Sequence, residues 1–124
     1  MIPTSLFDAQ GSAINLVNSA YQQAITAPVS FTTAAGVAKT YQADPVSQAN
    51  LQGALIGFTP TGSVPSGFYW RSLDNTNVPF TLGDLQGLAQ VMLAQGWEAF
   101  QKRLTLLAEI AAATTVAQAE GVTW

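Results

Sequence analysis

The sequence predicts an α+β fold of order α-β-β-α-β-β-α-α, with two short hairpins packed against a long C-terminal helix. Three observations carry that prediction. Two pairs of short β-prone runs are each divided by turn chemistry, at Ala34-Ala35-Gly36 and at Asp74-Asn75-Thr76-Asn77. Amphipathic stripes at helical spacing lie before and after those pairs, and Asp44-Pro45 marks a helix start between them. Hydrophobic residues make up 48% of 124 positions, enough apolar area for one core and too much for a disordered chain. The organisation expected is an N-terminal arm at residues 1–12 and a single α+β domain at 13–124, with no internal repeat.

Residues from Met1 to about Gly11 hold Pro3, Asp8 and Gly11 without a period and read as an extended arm. Ser12 is the expected N-cap of a first helix over Ala13–Ala27, whose stripe is Ile14, Val17, Tyr21 and Ile25 and which Pro28 stops. Val29–Thr33 and Val37–Tyr41 then form a hairpin around Gly36, where glycine supplies the positive φ of a tight turn. Asp44-Pro45 opens a second helix, because the carboxylate accepts free N–H groups of the first turn and proline at the first position sacrifices no hydrogen bond. That helix is expected over Pro45–Ile56 with Gly57 as its cap, followed by a structureless loop from Phe58 to Gly67. Phe68–Ser72 and Val78–Phe80 make the second hairpin, with Asp74 and Asn75 in its turn and Pro79 at an edge. Thr81 with Asp84 has capping-box spacing and starts a helix from Leu82 to Ala113. Its main stripe contains Leu85, Leu88, Met92, Gly96, Ala99, Phe100, Leu107 and Ile110, of which Leu85, Leu88 and Met92 are assigned to the core, while Leu93, Trp97 and Leu104 fall on an adjoining face. One apolar flank packs on the sheet and the other on another helix or on another chain, so Leu93, Trp97 and Leu104 are a candidate partner interface. Thr115 and Gln118 repeat the capping spacing for a last short helix to Glu120, backed by Gly121.

Composition narrows the chemistry. The chain has no His and no Cys, which removes the usual metal ligands, thiol nucleophiles and the commonest general base. A non-enzymatic protein without cofactor or metal is the expectation. Four cations, Lys39, Arg71, Lys102 and Arg103, in a chain of net charge −3 do not neutralise the several phosphates that nucleic-acid binding requires. No run of 18 or more apolar residues is present to cross a bilayer, and the N-terminus lacks the basic and apolar pattern of a secretory signal. Membrane insertion is therefore not expected, and the chain reads as cytosolic when made. Charged residues are only 9% of the chain against about 25% in a typical soluble domain. A neutral surface rich in Gln, Thr and Ala suits life inside a larger assembly.

Asp74 and Asp84 are the nearest thing to an acid/base pair, yet Asp74 sits where turns want Asx and Asp84 where helices want a first-turn acid. In Phe68-Tyr69-Trp70-Arg71, strand alternation puts Phe68 and Trp70 on one face, as core, and Tyr69 and Arg71 on the other. The competing reading is an aromatic platform for a sugar or a base. Arg71 is expected to tie its strand to Asp74, to Asp84 or to a helix C-terminus.

The residues Gln42-Ala43-Asp44, Ser47 and Asn50-Leu51, then Trp70-Arg71, Asp74-Asn75, Val78 and Thr81, then Ile110, Ala113-Thr114-Thr115 and Val122-Thr123-Trp124, form a distinctive series. In them the chain, from about Tyr21 to Trp124, resembles a domain family of unknown function common in tailed-bacteriophage tail and tail-fibre proteins. The resemblance implies no catalytic residues. It implies a virion structural protein of the tail, at the baseplate, tail tip or fibre attachment, that docks to fibre or baseplate subunits or to a second copy of itself. Such a protein would be made in the host cytoplasm and end in the virion tail. Two alternatives accompany it: a tail-fibre assembly chaperone, and a host carbohydrate-binding module using Tyr69 and the Phe58–Gly67 loop. Within this reading Asp44, Thr81 and Thr115 cap helices, Phe68 and Trp70 fill the core, and Leu93, Trp97 and Leu104 face a partner.

Overall fold

A computed structural model describes residues 3–124 and has the α+β element order of the sequence prediction. The helices are α1 (Leu6–Ala24), α2 (Pro45–Phe58), α3 (Leu82–Ala112) and α4 (Val116–Glu120). The strands are β1 (Val29–Thr32), β2 (Ala38–Tyr41), β3 (Tyr69–Arg71) and β4 (Asn77–Pro79). They form two antiparallel hairpins, β1–β2 and β3–β4. The chain divides into two compact units, one of residues 26–95 and one that joins the residues up to Ile25 to Gly96–Trp124. Helix α3 contributes its first half to one unit and its second half to the other.

In the unit of residues 26–95, both hairpins bury one face on α3. Leu85 and Leu88, one turn apart on α3, are fully buried in a cluster with Val29, Tyr41, Val78 and Phe80, completed by Ala43 and by Leu51 of α2. Each such Leu contributes roughly 1.5–3 kcal/mol through the area it removes from water. The rings interlock at angles that the aromatic quadrupole favours, with Tyr41 edge-on to Phe80 at 5.5 Å. Phe68, Trp70 and Met92 pack half-buried against the same cluster.

Local chemistry explains the hairpin turns and the helix starts. Gly36 takes φ +90° in the first turn, and Asn75 takes φ +63° in the second, a left-handed position that Asn tolerates better than most side chains. Asp44 accepts from the Ser47 N–H at the start of α2, with Pro45 in the first position. At the start of α3, Asp84 accepts from the Thr81 N–H at 2.9 Å and Thr81 Oγ1 accepts from the Asp84 N–H at 3.1 Å, a complete capping box. The second oxygen of Asp84 accepts from the Ala34 N–H at 2.9 Å, so this buried carboxylate also anchors the β1–β2 turn.

The end of α2 corrects the sequence expectation. Gly57 does not cap it; the helix continues to Phe58, tightens into a 3-10 turn at Thr59–Thr61 and reverses at Gly62, which has φ +74°. The stretch expected to be structureless from Phe58 thus begins with ordered turns. Gly57 keeps a helical backbone, and the left-handed residue that ends a helix falls five positions later.

In the other unit, the first helix begins at Leu6 and not at Ala13. Ser5, not Ser12, is the N-cap, its hydroxyl accepting from the Asp8 N–H at 3.0 Å. The expected extended arm is therefore helical from Leu6, and its first two positions lie outside the described residues. The buried stripe of α1 is Ala9, Ala13 and Val17, while Ile14 is exposed. Small residues at i, i+4 and i+8 let α1 pack closely, with Ala13 and Val17 against Ile110 and the half-buried Leu106, Leu107, Val122 and Trp124. Gln10 donates at 3.0 Å to the carbonyl of Ile110 in the last turn of α3, which also accepts from the Ala113 N–H at 3.1 Å. Thr115 caps α4 through the Gln118 N–H, but the Gln118 side chain accepts from Thr114 and not from Thr115, so that capping box is not reciprocal.

Candidate functional site

A cleft of about 370 Å³ opens in the unit of residues 26–95. Gln42, Ser47 and Asn50 line one side, from the end of β2 and the first turns of α2; Tyr69, Trp70, Arg71 and Ser72 line the other, with Asn75 beside them. The β3–β4 register places it. Phe80 donates to the Phe68 carbonyl and Ser72 to the Thr76 carbonyl, so even-numbered residues of β3 face β4, and Tyr69 and Arg71 turn their N–H and C=O groups to the outer edge. Leu73, next in that series, donates across this edge to the Thr40 carbonyl of β2 at 2.8 Å. Beyond this bond no backbone hydrogen bond joins the two edges among the described residues, and Gln42 and Arg71 both line the cleft.

Alternation buries one face of β3 and exposes the other. Phe68 stacks edge-on to Phe58 at 5.3 Å and Trp70 lies nearly parallel to Phe80 at 6.3 Å, whereas Tyr69 is 52% exposed. Arg71 corrects the expectation that it would tie its strand to a carboxylate or a helix end. Its Nη1 donates to Asn77 Oδ1 at 2.9 Å and its Nε reaches Asn75 Oδ1 at 3.5 Å. The carboxylates are held elsewhere. Asp74 pairs with Lys39 at 2.8 Å, accepts from the Ser72 hydroxyl, and is aligned with the Thr76 N–H at 3.3 Å. The Lys39 ammonium, then the Ser72 and Thr76 donors, hold the Asp74 carboxyl well below the usual carboxylate range. Asp44 is likewise lowered, by the Ser47 hydroxyl first. Asp74 and Asp84 share no hydrogen-bond partner among the described residues.

A model of the domain of unknown function DUF4376 matches residues 8–122. The chain belongs to this family. The DUF4376 match takes in the whole cleft and most of both compact units. Comparison with curated proteins and with solved structures gives no match. Of the residues that carry the sequence resemblance, Gln42, Ser47, Asn50, Trp70, Arg71 and Asn75 converge on the cleft. Asp44 and Thr81 cap helices, Asp74 braces the hairpin turn, and Leu51 and Val78 lie in the core. Thr115 and Ile110 belong to the other unit.

The cleft as a whole escapes the sequence reading, although Ser47 and Asn50, three apart on an exposed helical face, are a local signal for its α2 wall. The face of α3 assigned to a partner is open to solvent. In the unit that contains Gly96–Trp124, Trp97 is 59% and Leu104 49% exposed, and Phe100, expected on the main stripe, is exposed as well and stacks on Trp97 at 6.0 Å. Leu93, in the other unit's part of α3, is 66% exposed. Among the described residues no group of His, Cys, Asp and Glu could hold a metal ion, and no helix is long and apolar enough to cross a membrane.

Proposed function

We propose that this DUF4376 protein is a non-enzymatic structural component of a bacteriophage tail, docking to a neighbouring tail subunit through the exposed face of α3. One observation carries the reading: Trp97, Phe100 and Leu104 follow one another at helical spacing and all remain exposed, with Trp97 and Phe100 already stacked. Large aromatics held rigid at the surface are the residues that anchor protein interfaces, because they bury much area for little lost rotamer freedom. The phage setting comes from the sequence resemblance, and the low proportion of charge supports a life inside an assembly.

Quantitative mass spectrometry of purified particles against crude lysate, counted against the tail-tube protein, tests it. A fixed small copy number in the particle, lost in a Trp97→Asp variant that folds normally, is the expected result. Abundance in lysate with absence from particles would make the protein a fibre-assembly chaperone instead.

A further inference from the structure

We propose that the outer edge of β3 is a strand-addition site for an extended, acidic peptide segment of a partner protein. The inference goes beyond the docking of α3, since it uses different residues and lies wholly within residues 26–95.

The shape of the cleft is the first argument. Successive side chains of a strand point to opposite faces, so a pocket lying over one face meets every second residue. This cleft is lined by four consecutive residues, Tyr69 to Ser72, as a cleft that follows the strand edge would be. The edge is unpaired there. Tyr69 and Arg71 have outward N–H and C=O groups, and no backbone bond continues from Leu73–Thr40 along this edge among the described residues. An open strand edge is a template for another chain, and the incoming backbone supplies the missing ladder.

The walls indicate which chain. The side chains of Gln42 and Asn50 have no hydrogen-bond partner among the described residues, and each offers both a donor and an acceptor to a peptide backbone. Arg71 is the cation of the cleft and has no carboxylate within ion-pair distance among the described residues. Asp74 and Asp84, the two acids nearest Arg71 in sequence, are taken up by Lys39, Ser72 and Thr76 and by Ala34 and Thr81, and Asp44 is taken up by Ser47. An Asp or Glu side chain on the incoming strand would give Arg71 the planar, charge-assisted partner that its fork geometry suits. A sugar is less well served, because Trp70 already stacks on Phe80 and Tyr69 alone offers a solvent-exposed ring.

The test uses the full chain, a displayed library of random peptides of about ten residues, and a glycan array as the competing probe. Enriched peptides should carry Asp or Glu among β-prone residues and shift the amide resonances of Tyr69, Arg71, Gln42 and Asn50. N-methylation of alternate peptide bonds in the best binder should weaken it by about tenfold or more, because it removes the ladder donors. Arg71→Gln should weaken acidic peptides by about tenfold and neutral ones little, with the resonances of Leu85 and Phe80 unchanged. Trp97→Asp should leave this binding intact, which separates the proposal from the docking of α3. The proposal is overturned if no peptide is enriched, if enriched peptides leave Tyr69 and Arg71 unshifted, if N-methylation is harmless, or if a glycan shifts these amides instead.

Discussion

Tyr41 shows how one buried atom sets the chain's response to alkali. The residue is fully buried, its ring wedged against Phe80 and Phe31, and its hydroxyl meets no hydrogen-bonding group among the described residues. Burial, then the charges of Asp84 and Asp74, push its acidity above the ordinary tyrosine value. A group whose folded-state value is raised supports the fold fully below its unfolded value, about 10, and loses that support as pH rises beyond it. Tyr41→Phe removes both the unpaired hydroxyl and the titration. It is expected to stabilise the protein by about 1 kcal/mol at neutral pH, a gain that widens above about pH 10. Guanidinium melts of the two proteins at several pH values measure this. Asp74 works in the opposite sense. Its value is lowered by Lys39, Ser72 and Thr76, so its contribution is present above about pH 3.9 and drains away as pH falls. Asp74→Asn should lower the melting temperature at pH 7, with the difference from the parent shrinking as the solution is acidified below about pH 4.

Two glycines separate what local sequence says about a helix from what packing decides. Gly11 looks like a helix breaker, and with Asp8 it made the first turns of α1 read as an arm. The Ser5 cap overrides it, since the hydroxyl supplies the orphan Asp8 N–H with an acceptor and the helix starts there. Nothing lies within 4 Å of a Cβ built on Gly11. Gly11→Ala should therefore stabilise the protein by roughly 0.5–1 kcal/mol through helix propensity alone. Gly87 in α3 has the same propensity argument and the opposite outcome, because an added Cβ would lie 2.7 Å from the Phe31 ring. Gly87→Ala should be destabilising by about 1–3 kcal/mol, the usual cost of overpacking a filled core. Thermal melts of both variants against the parent decide the pair. The same contrast explains how far the fold was legible. Both hairpins and the starts of α2, α3 and α4 follow from Asx, Ser or Thr, Pro and Gly at fixed local offsets. The Asp84–Ala34 bond and the Phe31–Gly87 approach join residues about fifty positions apart, and no local pattern encodes them.

At the scale of the molecule, the cleft is harder to read than the fold for the same reason. Alternation in Phe68–Arg71 shows which face of β3 is buried, but which of its edges stays open depends on the β3–β4 pairing and on the single Leu73–Thr40 bond at the other edge. The apolar flank of α3 is more legible, since a stripe too wide for one contact must leave a residue such as Trp97 exposed. Composition then governs how that flank would bind. With 9% charged residues and one ion pair, Lys39–Asp74, among the described residues, there is little electrostatic attraction for salt to screen. Apolar burial is not weakened by simple salt. The proposed docking to a tail subunit should therefore survive about 1 M sodium chloride, where an interface held by charge would dissociate. Trp97→Ala should weaken it by more than about 1 kcal/mol at low and high salt alike, as expected for an aromatic anchor. Co-sedimentation of parent and variant with tail particles across a salt series measures both effects, and binding that falls steeply with salt in the parent would move the interface away from this flank.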